Sequence, residues 1–231
     1  MPVAVITGGS RGFGRALAID LAEDGWNLII DGRDRASLQE VGDRLSSLGA
    51  SSTAIAGDVS SPHHRSALVE SARQYGSLDL LVNNASTLGP SPLPRLEHYP
   101  LAGLRHVYEV NVLAPLALVQ EALPQLRRSR GTIVSLSSDA AVEGYEGWGG
   151  YGSSKAALDQ LHNVMATEEP ALRIYQFDPG DMRTAMHQAA FPGQDISDRP
   201  EPESVVAPFR ALLESGAPSG RYRADAWVLQ P

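Results

Sequence analysis

Short apolar runs alternate along the chain with longer stretches in which apolar residues recur every three or four positions. Val3–Thr7 is a continuous apolar run, as expected for a strand buried on both faces of a parallel sheet. The stretch Arg15–Asp24 that follows places Leu17 and Leu21 on one face, which predicts a helix. The same alternation continues to the C-terminus. It predicts β–α–β units, and therefore an α/β fold with a doubly wound parallel sheet between two layers of helices.

The boundaries of these elements follow from the same pattern. The predicted strands are Val3–Thr7, Trp26–Asp31, Ser52–Gly57, Leu78–Val82, Gly131–Ser135, Arg173–Phe177 and Arg221–Val228. The predicted helices are Arg15–Asp24, Ala36–Leu48, Pro62–Tyr75, Leu101–Arg128, Tyr151–Glu168 and Ser204–Glu214.

The chain is expected to form a single domain over residues 1–231. Its 231 residues, of which 42% are hydrophobic, suffice for one large core. One stretch, Ala185–Pro202, is rich in Pro, Asp, Gln and Gly and shows no regular pattern. Because long loops in compact domains are usually functional or mobile, this stretch is predicted to be a substrate loop on the surface.

Charge and composition exclude several partners. The formal net charge of −8 argues against nucleic acid, since phosphate binding needs a surplus of Lys and Arg. The chain has no cysteine, and its six histidines show no metal-ligand spacing with a carboxylate. Met1–Ile6 has no charged signal-peptide region, and no apolar run approaches the roughly 18–20 residues that cross a membrane. We therefore expect a cytoplasmic protein with no nucleic-acid, membrane or metal partner.

Three glycines, Gly8, Gly12 and Gly14, lie between the first strand and the first helix. Glycine permits positive φ and a close approach of the backbone to a ligand, and a helix N-terminus stabilises a pyrophosphate. A plain tight turn is the alternative interpretation. The position of the glycines after the first strand of an alternating chain favours a nucleotide site.

Tyr151 and Lys155 are four residues apart on a predicted helix and therefore share one face. A phenol is a poor base at neutral pH, but a neighbouring ammonium and a cationic ligand both favour the phenolate. We expect the pKa of Tyr151 to fall toward the working range. The alternative is a surface pair with no chemical role.

These motifs, taken in order, resemble those of the short-chain dehydrogenase/reductase family over nearly the whole chain. Thr7–Gly14 fits the family fingerprint T-G-x-x-x-G-x-G. Asn83–Ala85 fits its N-N-A-G motif, with Ser86 in place of the usual glycine, and Pro179–Thr184 fits its P-G-x-x-x-T segment. The resemblance implies a Rossmann-type fold with strand order 3-2-1-4-5-6-7, hydride transfer with a nicotinamide cofactor, and a homodimer or homotetramer.

The resemblance also implies the roles of single residues. Its catalytic tetrad is matched by Asn111, Ser138, Tyr151 and Lys155. Its cofactor contacts are matched by Gly8, Ser10, Arg11, Gly12, Phe13, Gly14, Arg33, Asp58, Val59, Asn84, Ala85, Tyr151, Lys155, Pro179, Gly180 and Thr184.

Two catalytic positions have a physical interpretation of their own. The Ser138 hydroxyl would hold a substrate oxygen, and Ser137 should point the other way because side chains alternate along a strand. Pro115 has no N–H, so the carbonyl of Asn111 four residues earlier lacks its helical donor. In the family, a water at the matching asparagine links the catalytic lysine to solvent. An ordinary kinked helix is the alternative.

The end of the second strand bears on the choice of cofactor. NAD-preferring enzymes place an acid there to bind the ribose 2′-hydroxyl, whereas a 2′-phosphate attracts arginine. Gly32 occupies that position, Arg33 follows it, and Arg11 lies in the glycine loop. NADP is therefore predicted, and NAD is the less favoured alternative because a shift of one residue would bring Asp31 to the ribose.

The sequence thus predicts an NADP(H)-dependent oxidoreductase for a small-molecule carbonyl or secondary alcohol. A lyase or epimerase that uses the same Tyr–Lys pair and a non-catalytic NADP-sensing protein are the alternatives. The substrate site is expected beside two groups of residues. One comprises Tyr145, Glu146 and Trp148, and the other comprises Asp181, Met182, Met186 and the loop through Phe191.

Overall fold

A computed structural model describes residues 1–227 of the chain. Seven parallel strands form one sheet in the order β3-β2-β1-β4-β5-β6-β7, which confirms the predicted α/β class and strand order. The strands are β1 (Val3–Ile6), β2 (Asn27–Gly32), β3 (Ser52–Ala56), β4 (Leu80–Asn83), β5 (Thr132–Leu136), β6 (Arg173–Asp178) and β7 (Gly220–Arg223).

Helices cover both faces of this sheet. They are α1 (Gly12–Glu23), α2 (Arg35–Ser47), α3 (Pro62–Gln74), α4 (Leu101–Tyr108), α5 (Ala114–Ser129), α6 (Gly149–Glu168), α7 (Ala185–Ala190) and α8 (Val206–Ser215). On one face α1, α2 and α8 bury a core that includes Phe13, Leu45 and Phe209. On the other face α3, α5 and α6 bury Leu68, Leu126 and their neighbours.

The strand order reverses between β1 and β4, which are neighbours in the sheet although two strands separate them in the chain. The helices that follow these two strands leave the sheet on opposite faces. A crevice therefore opens at the carboxyl ends of β1 and β4, and in open α/β sheets this is the usual position of a ligand. Every residue motif identified in the sequence lies at this edge.

The predicted helix Leu101–Arg128 is not a regular α-helix throughout. A π-helical turn at Glu109–Leu113 separates α4 from α5, and Asn111 lies in the middle of that turn. Pro115 falls in the first turn of α5, where its missing N–H interrupts the regular bonding pattern. Such turns are frequent at functional sites because they redirect one side chain inside a helix.

The C-terminal part differs from the prediction in three places. The expected loop Ala185–Pro202 begins with helix α7, whose first turn is capped because the Thr184 hydroxyl accepts a hydrogen bond from the His187 N–H (3.2 Å). A 3₁₀ turn precedes α8, which begins at Val206. β7 ends at Arg223 and is followed by a 3₁₀ turn, while the predicted strand end at Val228 lies outside the described residues. Within residues 1–227 no helix is both long and apolar enough to cross a membrane.

Candidate active site

The glycine-rich turn forms the floor of the crevice. Gly8 and Gly12 adopt positive φ values of 67° and 55°, which glycine tolerates without strain. A Cβ on Gly14 would lie 2.5 Å from the Gly8 carbonyl oxygen and 2.5 Å from the Asn84 amide nitrogen. The turn is therefore closed over the start of α1, and the free N–H groups of that helix end face the crevice.

Hydrogen bonds tie the carboxyl ends of β1 and β4 together beside this turn. The Thr7 hydroxyl accepts from the backbone N–H groups of Asn84 and Ala85, at 3.0 Å each. The Asn84 side chain donates to the carbonyl oxygens of Thr7 (2.8 Å) and Gly8 (3.1 Å). Asn84 thus supports the glycine turn from below.

Asp31 is buried, with 1% of its surface exposed, and both of its carboxylate oxygens have partners in the protein. Oδ1 accepts from the Gly8 N–H at 2.6 Å, and Oδ2 lies 2.8 Å from Nε2 of His64. Asp31 therefore supports the glycine turn through one carboxylate oxygen and contacts His64 through the other. The sequence did not single out His64, because the contact joins residues 33 positions apart.

 A cleft of about 610 Å³ opens beside the glycine turn, and a smaller pocket of about 400 Å³ adjoins it. All of the predicted cofactor residues except Gly14 and Gly180 line the cleft. Gly14 lies beneath the glycine turn, and Gly180 lines the smaller pocket.

Two arginines and one carboxylate lie at the end of the cleft next to β2. Arg11 and Arg33 are exposed and line the cleft, and within residues 1–227 neither forms an ion pair within 4 Å. Partial burial raises the pKa of Asp58, but hydrogen bonds from the N–H (2.9 Å) and hydroxyl (2.7 Å) of Ser60 outweigh it and hold that pKa below its usual range. This end of the cleft therefore presents two exposed cations to a ligand.

Tyr151 and Lys155 lie side by side on α6 where the cleft meets the smaller pocket. Lys155 Nζ is 5.5 Å from the centre of the Tyr151 ring and donates to the Leu136 carbonyl oxygen at 2.7 Å. Burial lowers the pKa of Lys155 to about 8, against the opposing charge of Asp159. Both side chains are buried, so the pair is not the surface pair that the sequence also allowed.

The pKa of Tyr151 differs from the expectation. Burial raises it well above its ordinary value, and the negative charge of Asp178 raises it further, while the Ser138 hydroxyl lowers it. The sequence shows the lysine but not the depth of burial or the carboxylates, so the expected fall in the pKa was wrong. A protonated Tyr151 is the form that can donate a proton.

Ser137 and Ser138 follow the end of β5 and both line the smaller pocket, but their hydroxyls have different partners. The Ser138 hydroxyl donates to Asp139 Oδ1 (2.9 Å), accepts from the Ala140 N–H (3.2 Å) and lines the smaller pocket with Tyr151. The Ser137 hydroxyl is buried and donates to Asp159 Oδ2 at 2.7 Å. Ser138 is therefore the hydroxyl placed to meet a substrate oxygen.

The Asn111 side chain is fully engaged in the protein. Oδ1 accepts from the Thr87 N–H (2.9 Å) and from the Ser86 hydroxyl (3.1 Å). Nδ2 donates to the Thr87 carbonyl oxygen (2.9 Å) and to the Ser154 hydroxyl (2.9 Å). Asn111 thus joins the segment after β4 to α6. Ser86, which replaces the family's glycine, takes part in this link.

The smaller pocket extends from Ser138 and Tyr151 toward α7. Aromatic side chains form one wall, where the Trp148 ring lies 5.7 Å from that of Tyr151 and 6.0 Å from that of Phe191. His187, which the sequence treated as scattered, also lines the pocket. Glu146 does not: it is exposed and lies 3.6 Å from Arg95, so its expected place beside the substrate was wrong.

Acidic side chains also line the smaller pocket. Asp139, Asp178 and Asp181 line this pocket, and none of its lining residues is a lysine or an arginine. Within residues 1–227 no three His, Asp or Glu side chains form a group that could hold a metal ion.

Comparisons with known proteins point to one family. A family model described as short chain dehydrogenase matches residues 2–195. Mouse sepiapterin reductase is 32% identical over 230 residues, which cover 93% of this chain and 87% of that protein.

Solved structures agree with this match. An alcohol dehydrogenase from Thermococcus sibiricus, complexed with 5-hydroxy-NADP, superimposes with a TM-score of 0.86 at 27% identity, covering 96% of this chain and 95% of that one. A short chain dehydrogenase from Shigella flexneri, complexed with NADP, superimposes with a TM-score of 0.90 at 27% identity, covering 97% of each chain. The chain belongs to the short-chain dehydrogenase/reductase family, whose members are oxidoreductases that act on CH–OH and C=O groups with a nicotinamide cofactor.

Proposed function

We propose that this enzyme is an NADP(H)-dependent oxidoreductase that interconverts a small carbonyl compound and its secondary alcohol. The observation that carries the proposal is the meeting of Ser138, Tyr151 and Lys155 at the junction of the nucleotide cleft and the smaller pocket. A substrate oxygen at that junction reaches two hydroxyl groups, and a nucleotide in the cleft ends beside it.

The cofactor, when bound, supplies or accepts the hydride at the substrate carbon. Tyr151 donates its phenolic proton to the substrate oxygen in reduction, and the Ser138 hydroxyl holds the same oxygen as negative charge develops on it. Lys155 places a cation beside the phenol and so favours the phenolate that forms. Asn111 helps to position α6, because its side chain donates a hydrogen bond to Ser154 on this helix, which carries both Tyr151 and Lys155.

NADP is the cofactor that the cleft favours. Asp31 is committed to the Gly8 N–H and to His64, so it is not available to a ribose hydroxyl. Arg11 and Arg33 line the same end of the cleft and carry the charge that a 2′-phosphate requires. Two structural neighbours with NADP-type ligands support the same choice.

The smaller pocket favours a compact, uncharged or cationic substrate with an apolar body. Trp148, Met186 and Phe191 supply an apolar wall, and a volume of about 400 Å³ suits a small ring system. No lysine or arginine lines the pocket, so its lining offers no such cation to a carboxylate or phosphate on the substrate. Asp178 and Asp181 pair with Arg221 and Arg199, whereas Asp139 forms no ion pair within residues 1–227 and would repel such a group.

A homodimer or homotetramer is part of the proposal. Leu101, Leu113 and Val164 are large apolar side chains that remain exposed on α4, on the π-helical turn and on α6. Burial of these side chains against a second copy would explain their exposure in a single chain. Light scattering of the purified protein tests this: a monomer mass would contradict it.

A panel of neutral ketones and alcohols, followed by the absorbance of the reduced nicotinamide, tests the function. Tyr151→Phe should lose at least about a hundredfold in kcat, as expected on removal of a general acid, while it still binds NADPH. Turnover that survives in this variant would contradict the role of Tyr151. NADPH binding without turnover of any ketone or alcohol would instead favour a sensing protein or a lyase/epimerase.

A further inference from the structure

Arg221 lies behind the active site, on the last strand of the sheet. Its Nη2 donates to the Ser138 carbonyl oxygen and to Asp178 Oδ2, at 2.8 Å each. Its Nε lies 3.3 Å from Asp159 Oδ2. One side chain therefore joins the segment after β5, the end of β6 and the middle of α6.

Both carboxylates that Arg221 contacts lie close to the catalytic pair. Asp159 follows Lys155 by one helical turn, and Asp178 ends the strand that leads into the Pro179–Gly180 turn. Their side chains are only 11% and 5% exposed. Asp178 also accepts from the Gly180 N–H at 3.0 Å, so its position affects the turn that lines the substrate pocket.

Two buried anions beside a phenol oppose the phenolate, and each would be costly without a cation. Within residues 1–227 Arg221 is the basic side chain that forms ion pairs with both. The other charged or titratable groups around them and the phenol are Lys155, Asp139, Tyr145, Asp181, His187 and Arg223. None of these lies within 4 Å of either carboxylate as an ion-pair partner in that part of the chain.

We propose that Arg221 is a positioning residue of the active site: it holds the Ser138 backbone and offsets the charges of Asp159 and Asp178 beneath Tyr151. The inference rests on the proposed function for its kinetic consequences. It adds a residue from the C-terminal strand, which none of the motifs contains, to the groups that set the geometry and the charge balance of proton transfer.

Three variants separate charge from geometry. Arg221→Met keeps an unbranched stem but removes the charge and the donors. Arg221→Lys keeps the charge, and Asp178→Asn with Arg221→Met removes one charge of each sign. In alcohol oxidation Tyr151 must lose its proton, so the rate rises with pH as the phenol ionises.

Arg221→Met should lower kcat at least about tenfold and move this rise to higher pH by roughly one unit, because Asp159 and Asp178 then act on the phenol without compensation. The lysine variant should keep the pH profile of the wild type with a reduced kcat. The double variant should move the pH profile back toward the wild type. A shift that persists unchanged in the double variant would overturn the proposal.

Arg210→Met is the matched control. Arg210 is 23% exposed, close to the 24% of Arg221, and it also contacts several carboxylates, namely Asp20, Asp24 and Glu214. These lie on α1, at its C-terminal end and on α8, away from the catalytic pair. We expect this variant to keep the kcat and the pH profile of the wild type. An equal loss in both variants would mean that Arg221 acts only through general stability.

A second measurement does not depend on turnover. Burial raises the pKa of Asp159, and Arg221 is among the groups that lower it. Without Arg221 the pKa of Asp159 in the folded protein rises further above that of the unfolded chain, so the folded state binds more protons. The free energy of unfolding of Arg221→Met should therefore fall relative to the wild type as the pH rises above the unfolded Asp pKa of about 3.9. Asp159→Asn in the same protein should relieve this fall.

These two measurements distinguish the two proposals. If the wild type reduces no carbonyl compound, the proposed function fails, but the unfolding experiment still tests Arg221. If turnover is present and Arg221→Met shows neither the kinetic shift nor the pH-dependent loss of stability, the inference about Arg221 fails alone.

Discussion

Replacement of Arg33 by Leu, and of Arg11 by Leu, tests how the cleft selects its cofactor. Both side chains are exposed at the β2 end of the cleft, and both are expected to contact the 2′-phosphate that distinguishes NADP from NAD. Each variant should therefore weaken the binding of NADPH and leave the binding of NADH nearly unchanged.

The magnitude follows from the exposure of the two arginines. A hydrogen bond to a charged group contributes about 1.5–3 kcal/mol, and solvent screening favours the low end for exposed side chains. A loss of about 1.4 kcal/mol corresponds to a tenfold rise in Kd. We expect about a tenfold weaker Kd for NADPH in each single variant and up to about a hundredfold in the double variant if the two contacts are independent.

Titration of both cofactors by fluorescence of the reduced nicotinamide measures these constants. Arg35→Leu is the matched control, because Arg35 begins α2, is exposed and is not part of the cleft lining. The wild type should bind NADPH more tightly than NADH. Equal affinities, or a loss of NADH affinity in Arg33→Leu as large as that of NADPH, would refute the assignment of Arg33 to the phosphate.

Conversion to NAD preference needs more than an acid at Gly32. A Cβ at this position would lie 2.8 Å from the Ser10 hydroxyl oxygen, so Gly32→Asp requires Ser10 to move. We therefore expect Gly32→Asp with Arg33→Leu to lose NADPH affinity, and to gain NADH affinity only when Ser10→Gly is added. A gain without that third change would contradict the contact.

Two further predictions concern stability. Gly14→Ala places a methyl group 2.5 Å from the Gly8 carbonyl oxygen, so it should lower the melting temperature and weaken NADPH binding together. The control is Gly25→Ala: its Cβ has nothing within 4 Å, but the φ of 77° is strained for alanine, so it should lower stability without weakening NADPH binding. Burial lowers the pKa of His162 to about 4, so stability present above the ordinary histidine pKa of about 6.5 should be lost as the pH falls through 4. The full loss should be on the order of 3 kcal/mol, and His162→Gln should reduce it in unfolding by urea at several pH values; an equal loss in both proteins would contradict this prediction.

Local patterns in the sequence determined the strands, the helices and the motif positions. Parallel strands covered on both faces are apolar throughout, so β1 and β2 are visible as continuous runs. The glycine spacing and the Tyr151–Lys155 pair are likewise local, because a turn and one helical turn decide which groups meet.

Tertiary structure decided the environment of those groups. The partners of Asp31, the link from Ser86 to Asn111 and the contacts of Arg221 join residues 23 to 83 positions apart. The depth of burial that raises the pKa of Tyr151 also depends on several elements at once. Periodicity reports the neighbours of a residue along one element, whereas the charge balance of this site arises where separate elements meet, so only the folded chain reveals it.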